Sequence, residues 1–284
     1  MEPTDISSIS WLVLLAANIV ISLVGFKNTH FFEKYLFSIN GVLREREYIR
    51  LLSSGFLHGG WMHLAFNMYS FYWFGPAIEK YWGTVGFLAV YFGSLLGGNL
   101  LSLYMHRYHE DYRAVGASGA VSGVIFSFIL LVPDATLGLM FIPIPIPAWL
   151  FGVIYMLISI FGMRAQSDNV GHDAHLGGAF AGVLVSLALQ PDLIDDRAWL
   201  VALLFAGFTA FIWLAARTSF FTAPAATQEW LRTQRPGKAS ARKVDMQLQE
   251  ELNELLDKVQ AQGWNNLSDY EQRRLYYLSN RLRK

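Results

Sequence analysis

Four polar residues stand at the ends of apolar runs in this chain, and together they could carry out acyl transfer: Ser118, His175, His63 and Asn67. Ser118 lies in Gly116-Ala117-Ser118-Gly119, between glycines that leave its hydroxyl uncovered, and it opens an apolar run that continues through Val132. A serine hydroxyl is a weak nucleophile and needs a base to take its proton. His175, in Ala174-His175-Leu176-Gly177-Gly178, begins another apolar run and can supply that base. No acid is placed as a third member. Asp173 is two residues from His175 and points elsewhere on a helix, so the residues define a dyad. His63 and Asn67 lie four apart and share a helix face. Polar groups at that depth are interior and often functional, although interhelical hydrogen bonding also accounts for such a pair.

The elements that must position these residues are membrane helices. Hydrophobic residues make up 54% of the 284 and charged residues 15%, against about 25% charged in soluble domains. The 22 basic and 22 acidic residues cancel, and nothing in the charge implies a nucleic-acid partner. No cysteine is present, which excludes disulfides, a thiolate nucleophile and iron–sulfur ligation. His58, Gly59 and Gly60 precede His63 without the glutamate of an HExxH arrangement. No metal or other cofactor is expected.

Seven apolar runs follow in order: Ile6 to Phe26, Trp61 to Ile78, Val85 to Met105, Val115 to Val132, Ala148 to Met163, Ala174 to Leu189 and Ala198 to Ala216. A span needs about 20 residues, with some tolerance. Met1 to Ser10 lacks a basic n-region, so the first run reads as a retained span. Between the first two runs, Lys27 to Gly60 mixes aromatic and charged residues, a texture suited to the headgroup region. Pro143, Pro145 and Pro147 alternate in a loop that cannot be helical. Gly116, Gly119 and Gly123 share one helix face and Gly178 and Gly182 another, as close helix packing in lipid requires. Counting spans puts Ser118, His175, His63 and Asn67 near the same membrane surface. The fold class is therefore all-α: a polytopic helical bundle with a six-helix core and a seventh run apolar enough to span.

With these residues in place, the sequence resembles the rhomboid family of intramembrane serine proteases. The GxSG element at Gly116 to Gly119, the HxxxN element at His63 to Asn67 and the AHxxG element at Ala174 to Gly178 carry the resemblance over roughly residues 10 to 190. It implies that Ser118 is the nucleophile and His175 its general base. It also implies that His63, Asn67 and the Ser118 backbone N–H stabilise the oxyanion. Gly116, Gly119, Gly178 and Arg50 would be structural residues near the site. Arg50 matches the arginine of the family's Trp-Arg pair, but Ile49 precedes it. Where the family often has an aromatic stacked on the histidine, four residues after the serine, this chain has Ser122. The implied partners are transmembrane protein substrates and the lipid bilayer, and the implied location is the bacterial inner (cell) membrane.

Residues 217 to 284 hold 12 of the 22 basic and 8 of the 22 acidic residues, so this tail is a soluble part. The expected division is a membrane domain over 1–216, a linker over 217–243 containing Pro224, Pro236 and Gly237, and an αα-hairpin over 244–284. Leu248, Leu252, Leu255 and Val259 mark the first hairpin helix, which stops near Gly263. Ser268 with Glu271 forms a capping box for the second, which carries Leu275, Leu278 and Leu282. Such a hairpin is similar to a module appended to some bacterial rhomboids and suggests a partner or self-association. Orientation is contested. Lys27, Lys34, Arg44, Arg46, Arg50, Arg107, Arg113 and Arg164 lie on the Ser118 side, which the positive-inside rule turns toward the cytoplasm. Bacterial members of the family open outward. Two other functions compete with proteolysis. A non-catalytic rhomboid-like binder has no evident need for both Ser118 and His175. A transporter relaying protons through His63, His172 and His175 should show inverted repeats and mid-membrane acids, and neither is found.

Overall fold

The computed structural model describes residues 9–139, 142–165, 171–216 and 238–282. The start of the first apolar run, Ile6 to Ser8, and the linker residues 217–237 lie outside the described residues.

Apolar composition dictates helices here, because a backbone in lipid must satisfy its own hydrogen bonds. The membrane part comprises α1 (Ser10–Lys27), α5 (Trp61–Met105), α6 (Ser118–Leu131), α7 (Ala148–Ala165), α8 (His172–Leu189) and α10 (Ala198–Ala216). The two runs expected over Trp61 to Ile78 and Val85 to Met105 form one 45-residue element that breaks at Gly83, whose φ is +67°. At 1.5 Å per residue that element is about 68 Å long, twice a bilayer core of about 30 Å. It must therefore cross, turn at Gly83 and return. This is an all-α multi-pass membrane protein, with the chemistry-bearing run at its centre. From Gly119 to Leu130 every residue of α6 but Phe128 is buried.

Between α1 and α5 the chain forms α2 (Thr29–Tyr35), β1 (Phe37–Ser38), α3 (Ile39–Leu43) and α4 (Arg50–Ser53). Arg50 is the hub of this segment. It is buried, donates from Nη1 to the carbonyls of Glu33 and Leu36 at 2.8 Å each, and pairs through Nε with Glu47 at 2.5 Å. Ile49, beside it, is exposed. The proline loop between α6 and α7 is a small antiparallel hairpin, β3 (Thr136–Leu139) with β4 (Ile142–Pro147). Prolines lack the N–H of a ladder, so such a strand survives only as one edge of a two-stranded ribbon. The last membrane connection carries the one-turn α9 (Leu193–Asp196).

One buried carboxylate, just past the end of the run Trp61 to Ile78, has a structural use. Glu79 accepts from the backbone N–H groups of Ser10 at 3.2 Å and Trp11 at 2.9 Å, and from Thr84 Oγ1 at 2.9 Å. It thus caps the N-terminus of α1, where orphan N–H groups and the helix dipole favour a negative charge.

The tail forms α11 (Lys238–Gln262), which begins within the stretch expected as linker, and α12 (Asp269–Leu282). Leu248, Leu252, Leu255, Leu267, Leu275 and Leu278 pack into their own small core, with Val259 against it. Gly263 ends α11 at φ +84°. The capping box closes as its residues dictate: Ser268 N and Oγ donate to Glu271 Oε2 at 2.9 and 2.8 Å, and Glu271 N donates back to Ser268 Oγ at 3.3 Å.

Candidate active site

Ser118 is the first residue of α6. That helix has 14 residues and covers about 21 Å, so it cannot cross a core of about 30 Å from face to face. Its far end runs into exposed Asp134. Ser118 therefore begins inside the layer, and the polar segment before it must bring water down to it.

The approach to Ser118 is stapled to the α1–α5 segment at several points. Strand β2 (Arg113–Ala114) pairs antiparallel with β1, Ala114 opposite Phe37 and Arg113 opposite Ser38. Gly116 N donates to the carbonyl of Ser54 at 3.0 Å. Gly116 has φ +132°, and a Cβ there would lie 2.8 Å from His63 Cε1 and 2.9 Å from its Nε2. Glycine is required on both counts. Ala117 N donates to His58 Nε2 at 3.5 Å. On the other side of that ring, His58 Nδ1 lies 2.8 Å from Ser22 Oγ, whose proton goes to the carbonyl of Phe56. The ring is thus neutral with its proton on Nδ1. Burial, and then the nearby His63, hold the pKa of His58 at about 3. His58 was legible only as a failed zinc ligand, and its place is as a fixed prop under the Ser118 loop.

His63 has the opposite tautomer. Its Nδ1 accepts from the backbone N–H of Gly59 at 3.3 Å, which leaves the proton of a neutral ring on Nε2. That nitrogen lies beside Gly116, 2.9 Å from where a Cβ would sit, and Ser118 Oγ lies 3.5 Å from the same point. Asn67 is buried, and one of its amide hydrogens goes to the carbonyl of His63 at 2.9 Å. Its other donor is left for the cavity.

Helix α8 brings His175. Close approach is set by glycine: a Cβ on Gly178 would fall 2.8 Å from Gly119 Cα, and one on Gly182 2.5 Å from Gly123 Cα. α8 and α6 are therefore in backbone contact one turn below the site. His175 and Ser118 line one cavity of about 1200 Å³, together with His63, Asn67, Gly116 and Gly119. Arg50 and Gly178 do not line it; Arg50 binds the α1–α5 segment together and Gly178 lies at the α6–α8 contact. Asp173 is spoken for elsewhere, as its helix position implied. It is buried, accepts from Ser102 Oγ at 2.5 Å and lies 3.2 Å from His106 Nε2. No group of three or more metal-ligating side chains occurs among the described residues.

The structure also supplies an aromatic partner for the histidine. Tyr155, from α7, stacks on the His175 ring with centroids 6.3 Å apart and planes 28° apart. Its hydroxyl lies 2.6 Å from Ser122 Oγ, and Ser122 in turn donates to the carbonyl of Ser118 at 2.7 Å. The phenol must then donate to Ser122. One hydrogen-bonded chain thereby ties the ring stacked on His175 to the backbone of Ser118.

These features define a class: a multi-pass helical membrane protein with a serine, a histidine and amide and imidazole donors around one intramembrane cavity. The Rhomboid domain matches residues 45–191, just over half of the chain, and the chain belongs to the rhomboid family. Rhomboid protein 1, mitochondrial, of Saccharomyces cerevisiae is 30% identical over 161 residues, 54% of this chain and 45% of that protein. The putative rhomboid protease YdcA of Bacillus subtilis is 34% identical over 142 residues, 49% of this chain and 66% of its own length. The rhomboid protease AarA of Providencia stuartii is 30% identical over 153 residues, 46% and 52% of the two chains. This chain spans less than two thirds of the length of each.

Proposed function

We propose that this chain is an intramembrane serine endopeptidase that cleaves transmembrane segments of membrane proteins through an acyl-enzyme on Ser118. The observation that carries this reading is the shared cavity of Ser118, His175, His63 and Asn67. In the mechanism, His175 takes the hydroxyl proton as Ser118 attacks and returns it to the leaving amine. His63 Nε2–H, the spare Asn67 amide hydrogen and the Ser118 N–H, an orphan donor of the first helical turn, are aimed where the oxyanion develops. Water entering through the polar end of the cavity then attacks the ester, with His175 again as base. No metal and no other cofactor takes part. The working division is a protease domain over 1–216, a linker from 217 that ends where α11 begins at Lys238, and the hairpin from there to 284.

The reading is tested with purified protein in proteoliposomes. A fluorophosphonate, which attaches only to an activated serine, should label Ser118, and a single-span substrate should be cut within its span. Absence of both in folded protein would favour the non-catalytic binder.

Tyr155 gives a finer test of how His175 is held. An aromatic pair contributes about 0.5–1.5 kcal/mol beyond its buried area. Tyr155→Leu should therefore lower kcat by ~3–10-fold with little change in KM. Tyr155→Phe, which keeps the stack and loses only the bond to Ser122, should fall by less. Equal loss in the two variants would show that the ring does not position the histidine.

The proposed location is a bacterial cell membrane with the cavity opening away from the cytoplasm. Three of the arginines on that face are held by carboxylates, Arg44 by Glu110 at 2.9 Å, Arg50 by Glu47 at 2.5 Å and Arg113 by Glu33 at 2.6 Å. Their charge is spent within the loops. An epitope placed after Lys284 should then be cut by external protease in spheroplasts. Its protection, with cleavage of an N-terminal epitope instead, would reverse the orientation.

A further inference from the structure

The cavity that holds Ser118 and His175 is lined at its polar end by two residues of the C-terminal hairpin, Tyr270 and Arg274. They meet the segment between α5 and α6. The Arg113 guanidinium lies 3.4 Å from the centroid of the Tyr277 ring. Asp111 lines the same cavity as Arg274, whose guanidinium is held within the hairpin by Glu251 at 2.7 and 2.8 Å and feels the Asp111 charge at longer range. Arg113 belongs to β2, the strand that leads directly into Gly116 and Ser118. The hairpin thus rests on the edge of the cavity itself. Span alternation agrees with this placement: α8 leaves the Ser118 face, α10 returns to it, and the tail emerges there.

The chemistry of the contact suits something that opens. Leu248, Leu252, Leu255, Leu275 and Leu278 are used inside the hairpin, and the groups it brings to the membrane domain's loop, Tyr270, Arg274 and Tyr277, are aromatic and charged. A cation–π stack and a longer-range attraction between opposite charges near water hold weakly. The tether makes docking intramolecular, and that raises the closed fraction without a strong interface.

We propose that the hairpin is a tethered cover, docked on the loop segment Asp111–Arg113 through Arg274 and Tyr277, which must leave before a substrate reaches Ser118. The consequence for turnover rests on the protease reading; the cover itself does not. A transmembrane substrate emerges from the membrane beside this loop, so its extramembrane stretch and the hairpin compete for one place.

The chain has no cysteine, so Ser118→Cys installs a sole thiol at the site. Its alkylation by a bulky, water-soluble maleimide reads access without any catalysis. If the cover is closed about nine-tenths of the time, ending the chain at Gly237 should speed alkylation ~10-fold. Asp111→Arg, which repels Arg274, should give part of that gain in the full chain and nothing further in the shortened one. With Ser118 restored, cleavage of a single-span substrate should rise in parallel. Equal alkylation rates in the full chain, the shortened chain and Asp111→Arg would overturn the proposal. The full-length charge reversal decides the matter should the shortened chain fold poorly. A wild type that neither labels with fluorophosphonate nor cleaves would count against the protease reading alone.

Discussion

Ser118→Ala should abolish fluorophosphonate labelling and lower cleavage on the order of 10⁴-fold or more, the scale seen when a serine nucleophile or its base is removed. The hydroxyl is the only group whose loss removes the covalent step outright. His175→Ala should fall nearly as far, because without a base the hydroxyl stays protonated at the moment of attack. The double variant should be scarcely worse than either alone, since two residues acting as one unit are strongly non-additive. Asn67→Ala should be milder, within the 10²–10³-fold typical of one oxyanion donor, because in the proposed mechanism His63 Nε2 and the Ser118 N–H would still donate to the oxyanion. Ser122→Ala should cost far less than Ser118→Ala. Ser122 already gives its hydrogen to the Ser118 carbonyl and so cannot replace the nucleophile. Rates are to be measured in proteoliposomes with protein free of host protease. Undiminished cleavage by Ser118→Ala would end the serine-protease reading.

The parts of this site that were legible in the sequence are those whose information is local. Gly116-Ala117-Ser118-Gly119 and Ala174-His175-Leu176-Gly177-Gly178 each mark a reactive group at the start of a helix beside glycines. Counting apolar runs then brings the two to one membrane face. Leu248, Leu252, Leu255 and Ser268 with Glu271 likewise announce a hairpin through periodicity and a cap. What was not legible depends on contacts between distant segments. Ser122 and Tyr155 lie 33 positions apart, and neither residue type signals alone that the α7 ring covers His175. His58 reads as a stray imidazole until the fold places Ser22 on one nitrogen and Ala117 N on the other. Glu79 falls in the gap between two apolar runs and carries no signal of its own until α1 sets its N-terminus on it. The break at Gly83 was legible only as a gap between two runs, because a single residue of positive φ leaves no periodic trace. The paired strands β3 and β4 were hidden for a related reason. Alternating prolines rule out a helix but do not announce a strand.

Gly178→Val should be the most damaging single change away from the reacting groups. A Cβ at this position meets backbone: it falls 2.8 Å from Gly119 Cα and 2.6 Å from the Gly119 carbonyl carbon. Backbone cannot rotate aside as a side chain can, so α6 and α8 must separate. Overpacking of this kind costs about 1–3 kcal/mol or more, and here it acts on the two helices that carry Ser118 and His175. Separating them by even 1 Å should matter beyond stability, since misplacement on that scale can lower rate ~10²-fold. The expected result is a lower unfolding midpoint in mixed detergent and loss of most Ser118 labelling in the protein that remains folded. Gly60→Ala is the fitting control, because nothing lies within 4 Å of a Cβ there. The same change at Gly182, whose Cβ would fall 2.5 Å from Gly123 Cα, should also destabilise the pair. Lying a turn deeper, it should disturb labelling less for the same loss of stability. If Gly178→Val kept the wild-type midpoint and full labelling, the depth of the dyad would not be set by glycine contact between α6 and α8.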